Sequence, residues 1–394
     1  MSGGRGSLAA PFEGVDIWRG KQEGERRMTT REDYGVLFPT SVVGSMPRSD
    51  FIRELVTAQS PVDERREKAL DAGIAYVVGL QEEAGLDIIT DGEWRRASYI
   101  GVIAELAHGF EVGTNPDDGR PWTIAVDKLS AKNTGFIVEE AKFLKKVASA
   151  RIKVTLPAPA LLGERMWDAE RSSRAYPRRR DFVEACVPFL RQEAELLAAE
   201  GVDVIQIDDP HLCLLVDPEV RSLYEGVEAE EPGGADGEAD FSVEMDNAVV
   251  DGVGRAAKLA VHLCRRAGAR VRGDACYSGD FSPIIEQLNR LRVNHLTMEF
   301  TSPGAGEAEV FKQLREDFEI GLGCVSVHPG QVDEAEVIVG RVEQALEAVD
   351  KERIVLNPDC GFAPGSAARV DIDEVYVKLK NMVAAAKVLR ERHG

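Results

Sequence analysis

Eight short apolar runs, each ending in polar or small residues, constrain the fold of this 394-residue chain more than any other feature. In order, they read PTSVVGSMP, LDIITDGE, IKVTLPAP, VDVIQIDDP, ARVRGDACYS, HLTMEFTS, IGLGCVSVHP and IVLNPDCG. Such runs are typical of parallel strands that are buried on both faces. Segments with apolar residues every three or four positions, such as DEAEVIVGRVEQALEAVD, lie between them and predict helices. Strands and helices alternating eight times predict an α/β fold, the (β/α)8 TIM barrel.

The same pattern predicts the domain organisation. Residues 1–35 are expected to be a flexible N-terminal extension, within which Met28 is an alternative start, and residues 36–394 a single catalytic barrel. Two insertions are predicted, near residues 108–150 and 225–240. The first is long enough for a hairpin and a helix. The second, EGVEAEEPGGADGEAD, is acidic and rich in glycine, which predicts a mobile surface loop.

Composition excludes several classes of partner. The formal net charge of −20 argues against electrostatic binding to nucleic acid or to an anionic membrane. No apolar run is long enough to span a bilayer, and the N-terminus lacks the apolar core of a signal peptide. Six cysteines in a chain of this size do not suggest a disulfide framework, so we expect a cytoplasmic protein. The oligomeric state stays open.

Candidate metal ligands stand at the ends of three predicted strands. They are Cys276, Glu299 and Cys360. Strand C-termini of a barrel meet at one rim, where two thiolates and a carboxylate would suit zinc (Zn2+) with one coordination position open. Glu299 lies among apolar residues, where a carboxylate is rarely tolerated unless it is paired or binds a metal. A thiol bound at such a site would lose its proton and become a nucleophile, which predicts an enzyme that alkylates a thiol.

The other cysteines have a simpler interpretation. They lie in apolar helical or strand contexts, where a lone cysteine usually behaves as a small buried apolar side chain. These are Cys186, Cys213, Cys264 and Cys324.

Five stretches, in consistent order and strand position, carry a family resemblance. They are PTSVVGSMPR, DGEWRR, IQIDDP, DACYS followed by MEFTS, and VHPG followed by NPDCGF. From about Phe38 to its last helix, the chain resembles the catalytic barrel of cobalamin-independent methionine synthases, within the methionine-synthase-like and uroporphyrinogen-decarboxylase-like superfamily. Fuller members carry a second, N-terminal barrel, for which this chain has no room, so it resembles the short single-barrel members. The resemblance implies an activity like that of 5-methyltetrahydropteroyltriglutamate–homocysteine S-methyltransferase.

The resemblance also implies a ligand set. Zinc in the family is held by a His-x-Cys pair, a glutamate and a distant cysteine. Cys276, Glu299 and Cys360 match the last three, and Asp274 stands at the histidine position. Aspartate can bind zinc through oxygen, but it makes the site one charge more negative and weakens the Lewis acidity of the metal. His211 is a second possible source of the nitrogen ligand.

An amino-acid pocket is implied by the same stretches. Gly44 and Ser45 would offer backbone and hydroxyl contacts to a substrate carboxylate, and Glu93 and Asp208 would hold the substrate ammonium group. Two acids at a low-dielectric rim can pair with one buried cation. The alternative interpretation is that Glu93 simply pairs with a neighbouring arginine of DGEWRR.

His328, in the stretch SVHPG, is the candidate general acid. A histidine can deliver a proton near neutral pH, and alkyl transfer needs one when the leaving group departs as an anion. The corresponding family histidine has that role. Weaker positions are held by the remaining histidines, His108, His262, His295 and His393.

Together these features predict a zinc-dependent thiol alkyltransferase that methylates homocysteine to methionine. A folate, a methylcobamide or a small alkyl compound would be the donor. Three alternatives stay open: transfer to another small thiol, a metal-free lyase or decarboxylase-like barrel, and a non-catalytic protein that binds a thiol or zinc.

Overall fold

The computed structural model describes residues 30–57, 63–117, 119–225, 232–253, 257–265, 277–301, 308–363 and 370–394. Its centre is a curled parallel sheet of seven strands in the order β1-β4-β5-β6-β7-β8-β9. The strands β4 to β9 are buried along most of their length, as expected for a parallel sheet covered on both faces. The described strands are β1 (Ile88–Ile89), β2 (Ala107–Thr114), β3 (Pro121–Ala131), β4 (Arg151–Pro157), β5 (Val204–Asp208), β6 (Lys258–Leu263), β7 (His295–Glu299), β8 (Glu319–Val325) and β9 (Ile354–Pro358).

The two edges of this sheet approach the same short segment. Thr40 forms a parallel bridge with Leu356 of β9, and Ser41 forms one with Ile88 of β1. The first predicted run, PTSVVGSMP, therefore contributes isolated bridges, while six of the other runs contain β1, β4, β5, β7, β8 and β9.

The fifth predicted strand is wrong. The position between β5 and β7 is filled by Lys258–Leu263, which pairs in parallel with both neighbours, and not by the run ARVRGDACYS. The segment KLAVHL is short and carries a charged residue at its start, so its apolar character is less obvious than that of the other runs. Residues 266–276 lie outside the described residues.

Helices cover the outside of the sheet. Two of the longest helices, α3 (Glu64–Ala84) and α7 (Arg179–Glu200), have capping residues at their termini. Asp63 caps the start of α3, and Gly85 and Gly201, in the left-handed conformation, follow the last residues of α3 and α7. The described helices are α1 (Thr30–Tyr34), α2 (Asp50–Thr57), α3 (Glu64–Ala84), α4 (Ile103–Leu106), α5 (Phe136–Val147), α6 (Pro159–Met166), α7 (Arg179–Glu200), α8 (Pro210–Leu214), α9 (Pro218–Ser222), α10 (Gly234–Val250), α11 (Ile285–Leu288), α12 (Ala335–Ala345) and α13 (Ile372–His393). None of these is long and apolar enough to cross a bilayer.

The first insertion contains the hairpin and helix that its length predicts. Strands β2 and β3 pair antiparallel and are followed by α5. The second insertion differs from its prediction, because α10 begins at Gly234, inside the expected loop. Glu238 of α10 is fully buried and forms an ion pair with Arg179 of α7 at 2.6 Å, so this acidic residue anchors a helix. Residues 226–231 lie outside the described residues.

The predicted N-terminal extension also ends earlier than expected. Residues 1–29 lie outside the described residues, but α1 begins at Thr30. Tyr34 donates a hydrogen bond to Glu319 at 3.0 Å, and Asp33 pairs with Lys258 at 2.6 Å. These contacts tie α1 to the first residues of β8 and β6, so the predicted boundary at residue 35 is too late.

Candidate active site

A nitrogen and two sulfur ligands meet at the C-terminal end of the sheet. His262 is in β6, Cys264 follows that strand, and Cys360 follows β9. Because side chains alternate along a strand, His262 and Cys264 project to the same side. One ligand atom from each of the three lies within 4.8 Å of the others, and the Sγ atoms of Cys264 and Cys360 are 3.3 Å apart.

The chemistry of this group fits a zinc ion. An imidazole and two thiolates are borderline and soft ligands of the kind that zinc prefers. His262 is 3% exposed and forms a hydrogen bond with the Cys360 thiol, so this nitrogen and this sulfur are close enough to bind one metal ion. The hydrogen bond to the Cys360 thiol and burial both raise the pKa of Cys264. A cation bound beside the sulfur would lower that pKa.

The predicted ligands are only partly brought together. Cys360 belongs to the group, whereas Asp274 and Cys276 lie outside the described residues. Glu299 ends β7, is fully buried, and influences Cys264 electrostatically. One of its oxygens accepts a hydrogen bond from the Arg265 backbone at 2.9 Å, and the other lies 3.6 Å from the Arg265 guanidinium. The role of Glu299 as a ligand stays a prediction.

Cys264 and His262, two residues of this group, are not predicted as metal ligands from the sequence. Cys264 is buried as expected, but it contacts Cys360 instead of serving only as an apolar side chain. The sequence pattern gives His262 a weak position because the predicted fifth strand lies one segment later in the chain. The signal was present, since His262, Leu263 and Cys264 themselves form a His-x-Cys pair at the end of an apolar run.

Two buried carboxyl groups, those of Glu93 and Asp208, lie next to this group. Burial is the main cause of the raised pKa of each, and Asp208 reaches about 7. Glu93 contributes to the pKa of Asp208 and His262 opposes the increase, so the three residues share one electrostatic environment. Thr155 donates a hydrogen bond to Glu93 at 2.8 Å, and Gln206 donates one to Asp208 at 2.7 Å. This environment therefore presents two buried acids whose charged forms a bound cation would stabilise.

The alternative interpretation of Glu93, an ion pair with Arg95 or Arg96, is not what the structure has. Arg95 pairs with Glu67 and Asp71, and Arg96 forms a buried ion pair with Glu140 at 2.8 Å. The Glu93 carboxylate is therefore left facing Thr155.

The backbone at Glu93 is strained. Its φ of 59° is in the left-handed region, where residues other than glycine are uncommon. Asp91 accepts a hydrogen bond from the Glu93 amide at 2.8 Å, and the buried guanidinium of Arg48 donates to the Glu93 carbonyl oxygen. Such strain is typical of functional positions, where the surrounding contacts hold a side chain in place.

The turn with Gly44 and Ser45 contacts Glu93 and also the segment that follows Cys360. A Cβ atom at Gly44 would lie 2.7 Å from a carboxylate oxygen of Glu93, so only glycine fits there without displacement. The Ser45 hydroxyl accepts a hydrogen bond from Ala363 at 3.2 Å, and the Ser45 carbonyl accepts one from Phe362 at 3.0 Å. The turn thus contacts the segment that follows Cys360.

His328 lies in the loop after β8 and is exposed. Its Nδ1 is 3.1 Å from the carbonyl oxygen of Pro329. The loop is fixed by α13, because Lys378 donates to the His328 carbonyl oxygen at 2.7 Å and Glu374 accepts from the Gly330 amide at 3.0 Å. No described contact joins the imidazole to the other site residues, and its role as general acid stays a prediction.

His211 is not part of the group. Its Nε2 lies 2.7 Å from Glu238 and its Nδ1 lies 3.4 Å from Glu164. Burial alone would lower its pKa, but these two carboxylates raise it to about 9. An imidazole protonated on both nitrogens cannot bind a metal, and His262 is the histidine beside the thiols.

Comparison with known proteins identifies the family. Residues 38–388 match the model of the catalytic domain of cobalamin-independent synthases. Methionine synthase of Saccharolobus solfataricus is 28% identical over 366 residues, covering 90% of this chain and 96% of that protein. Methionine synthase of Sulfolobus acidocaldarius is 26% identical over 364 residues, with coverages of 90% and 93%.

A solved structure agrees with the fold. It is a B12-independent methionine synthase from Shewanella sp. W3-18-1 in complex with selenomethionine. The TM-score is 0.72 at 22% identity, and the match covers 91% of this chain and 99% of that one. The family match spans most of the sequence, which confirms the resemblance seen in its motifs. The chain therefore belongs to the cobalamin-independent synthase family, through that family's catalytic domain.

Proposed function

We propose that this protein transfers a methyl group to the thiol of homocysteine and so produces methionine, with zinc at His262, Cys264 and Cys360. The observation that carries the proposal is the position of this nitrogen and sulfur group beside the buried acids Glu93 and Asp208. A thiol-binding centre next to two buried acids suits a substrate that carries both a thiol and an ammonium group.

Zinc would be held by these three residues, with Glu299 as a further candidate. A zinc ion bound there would lower the pKa of a thiol that reaches it. Arg265 keeps Glu299 partly neutralised through its backbone and guanidinium contacts. All three ligands and Glu299 are buried, and the low dielectric of a buried site strengthens electrostatic contacts.

Glu93 and Asp208 would bind the ammonium group of homocysteine. Burial raises the pKa of both acids, and a cation between them would favour their charged forms. Gly44 and Ser45 would bind the substrate carboxylate through backbone amides and the Ser45 hydroxyl. These contacts orient the thiol sulfur toward the methyl donor, which supplies the orientation part of the rate enhancement.

The reaction is a direct displacement. The thiolate sulfur of homocysteine attacks the methyl carbon of the donor, a sulfur–carbon bond forms, and the bond between that carbon and its leaving group breaks. The leaving group keeps the electron pair, and His328 supplies a proton to a folate leaving group. A methylcobamide is the alternative donor, and its leaving group needs no proton.

We also propose that the curled sheet is a complete eight-stranded barrel. The parallel bridges of Thr40 to Leu356 and of Ser41 to Ile88 support this, because they link the last strand to the first. The candidate ligands would then lie at the C-terminal rim, which is where active sites of such barrels are found.

A methyl-transfer assay tests the function. The zinc-loaded protein is incubated with homocysteine and with a methyl-labelled folate or methylcobalamin, and labelled methionine is measured. We expect product with at least one donor and its loss in Cys264→Ser, whereas Cys186→Ala, which changes a buried thiol of α7, keeps activity. Zinc and homocysteine binding without transfer would indicate a non-catalytic binding protein, and equal transfer to simple thiols would favour another acceptor.

A further inference from the structure

Three successive carbonyl oxygens in the turn of residues 42–44 are held by buried side chains from different parts of the sheet. Lys153 of β4 donates to the first at 2.7 Å, and Gln206 of β5 donates to the second at 3.0 Å. Thr90, which follows β1, donates to the third at 2.6 Å. Every peptide group of this turn is therefore fixed from the interior of the sheet.

Gln206 is the one of these three residues that also donates a hydrogen bond to Asp208. Its Nε2 also donates to an Asp208 carboxylate oxygen at 2.7 Å, and the side chain is fully buried. Both partners of this nitrogen, a carbonyl oxygen and a carboxylate oxygen, are acceptors, which fixes the orientation of the amide. Its Oε1 faces the Thr297 hydroxyl at 3.4 Å on the other side.

The bond to Val43 also sets the direction of the next amide. In a trans peptide the N–H points opposite to the carbonyl, and no described peptide bond is cis. The Gly44 N–H therefore points away from Gln206. One amide group thus controls both the Gly44 donor and the Asp208 acceptor.

We propose that Gln206 is a positioning residue for amino-acid recognition, which fixes the separation between the groups that bind the carboxylate and the ammonium of the acceptor. The inference rests on the proposed function, because it assigns those two groups to Gly44 and Asp208. Its consequence concerns substrate class. A thiol that carries both charged groups on one carbon benefits from the fixed separation, and a thiol that carries only one of them does not.

The test is equilibrium binding of three thiols by calorimetry, together with KM and kcat for methyl transfer. The thiols are homocysteine, 4-mercaptobutanoate, which lacks the amino group, and 3-aminopropanethiol, which lacks the carboxylate. Gln206→Met removes both donors at similar volume. We expect homocysteine binding to weaken roughly tenfold or more, the usual effect of losing a hydrogen bond to a charged group, with a similar rise in KM. The two thiols that carry only one charged group should lose far less affinity.

Asn357→Leu is the matched control. Asn357 is equally buried in β9, and its amide has no hydrogen-bond partner among the described residues, so this variant should retain the parent's preference for homocysteine. Gln206→Asn is a milder variant, since its shorter amide cannot reach both partners. Circular dichroism verifies that each variant is folded.

The outcomes separate the two proposals. If the parent prefers homocysteine and the folded Gln206 variants retain the same preference, the positioning role is overturned. If the parent binds homocysteine but transfers no methyl group, the proposed function fails while the binding data still test Gln206. A parent that binds all three thiols equally, or none of them, overturns the role of Gln206 as well.

Discussion

The imidazole of His211 lies 2.7 Å from the carboxylate of Glu238. This contact joins α8, which begins just after Asp208, to α10. Arg179 of α7 contacts the same carboxylate at 2.6 Å. Burial alone would raise the pKa of Glu238, but His211 and Arg179 lower it to about 2, and the pKa of His211 rises to about 9. Both shifts favour the ion pair, so α8 is held to the outer helices by charge.

This pair predicts a stability change on the alkaline side of neutrality. The pKa of His211 is raised on folding from 6.5 to about 9, so its contribution is complete below pH 6.5 and is lost as the pH rises to 9. The loss should be on the order of 3 kcal/mol. Urea unfolding between pH 6 and 9.5 measures it, as the difference between the parent and His211→Gln. A difference that stays constant across this range would contradict the charged pair.

Metal content distinguishes the two possible ligand sets. We expect about one zinc per chain in the parent, by the stoichiometry of a single tetrahedral site, and its loss in His262→Ala, Cys264→Ser and Cys360→Ser. Cys324→Ala should keep its zinc, because Cys324 is a buried cysteine outside the group. Atomic absorption after gel filtration measures the content.

Cys276→Ser completes that experiment. Retained zinc in this variant supports the set with His262 and Cys264. Zinc that disappears in Cys276→Ser but persists in Cys264→Ser would contradict it and favour the ligands first predicted from the sequence.

The contacts of α13 with the His328 loop predict a kinetic effect far from the thiol ligands. Lys378→Met removes the hydrogen bond to the His328 carbonyl oxygen and the ion pair with Glu374. We expect kcat to fall about tenfold with little change in KM for homocysteine, because a hydrogen bond from a charged donor is lost away from the amino-acid pocket. Lys378→Arg should recover part of the rate.

Lys380→Met, at an exposed position of the same helix, is the control and should match the parent. A change in KM in place of kcat would show that α13 supports the pocket and not the candidate general acid.

Gly44→Ala should damage homocysteine binding. The added Cβ would lie 2.7 Å from a Glu93 oxygen and 3.0 Å from Thr155, so either the turn or the carboxylate must move. We expect KM for homocysteine to rise at least tenfold. Gly79→Ala, in the middle of α3 with open space around it, should instead raise the free energy of unfolding by up to about 1 kcal/mol. Unchanged kinetics in Gly44→Ala would remove the turn from the site.

The sequence predicted most strands because their apolar runs end at the polar residues of the site. Asp208, Glu299 and Cys360 all lie at or just beyond the ends of strands, as the runs indicated. The fifth strand was missed because KLAVHL begins with a lysine, whose charge is explained only by its partners in space, Asp33 and Glu319. Asp274 and Cys276, the ligands predicted from the later run, lie outside the described residues, and the strand found in its place brings His262 and Cys264 next to Cys360.

Long-range pairing explains the rest of what the sequence did not predict. Nothing near Glu238 in the chain indicates that His211 and Arg179 neutralise it, so its acidic surroundings suggested a loop. The same holds for Gln206, since one of its acceptors, the Val43 carbonyl oxygen, lies 163 positions earlier in the chain. Local composition indicates the propensity of a segment to form a helix, a strand or a loop, but it does not indicate which charged residues pair after folding.

The bridge between Thr40 and Leu356 has a consequence for biosynthesis. Thr40 leaves the ribosome long before Leu356 does. Until β9 is translated, the segment at Thr40, which bridges β1 through Ser41, has an unpaired edge, and such edges invite aggregation. Pairing between residues so distant in sequence is also slow to form. Nascent chains of this protein should therefore depend on chaperones until translation has passed β9.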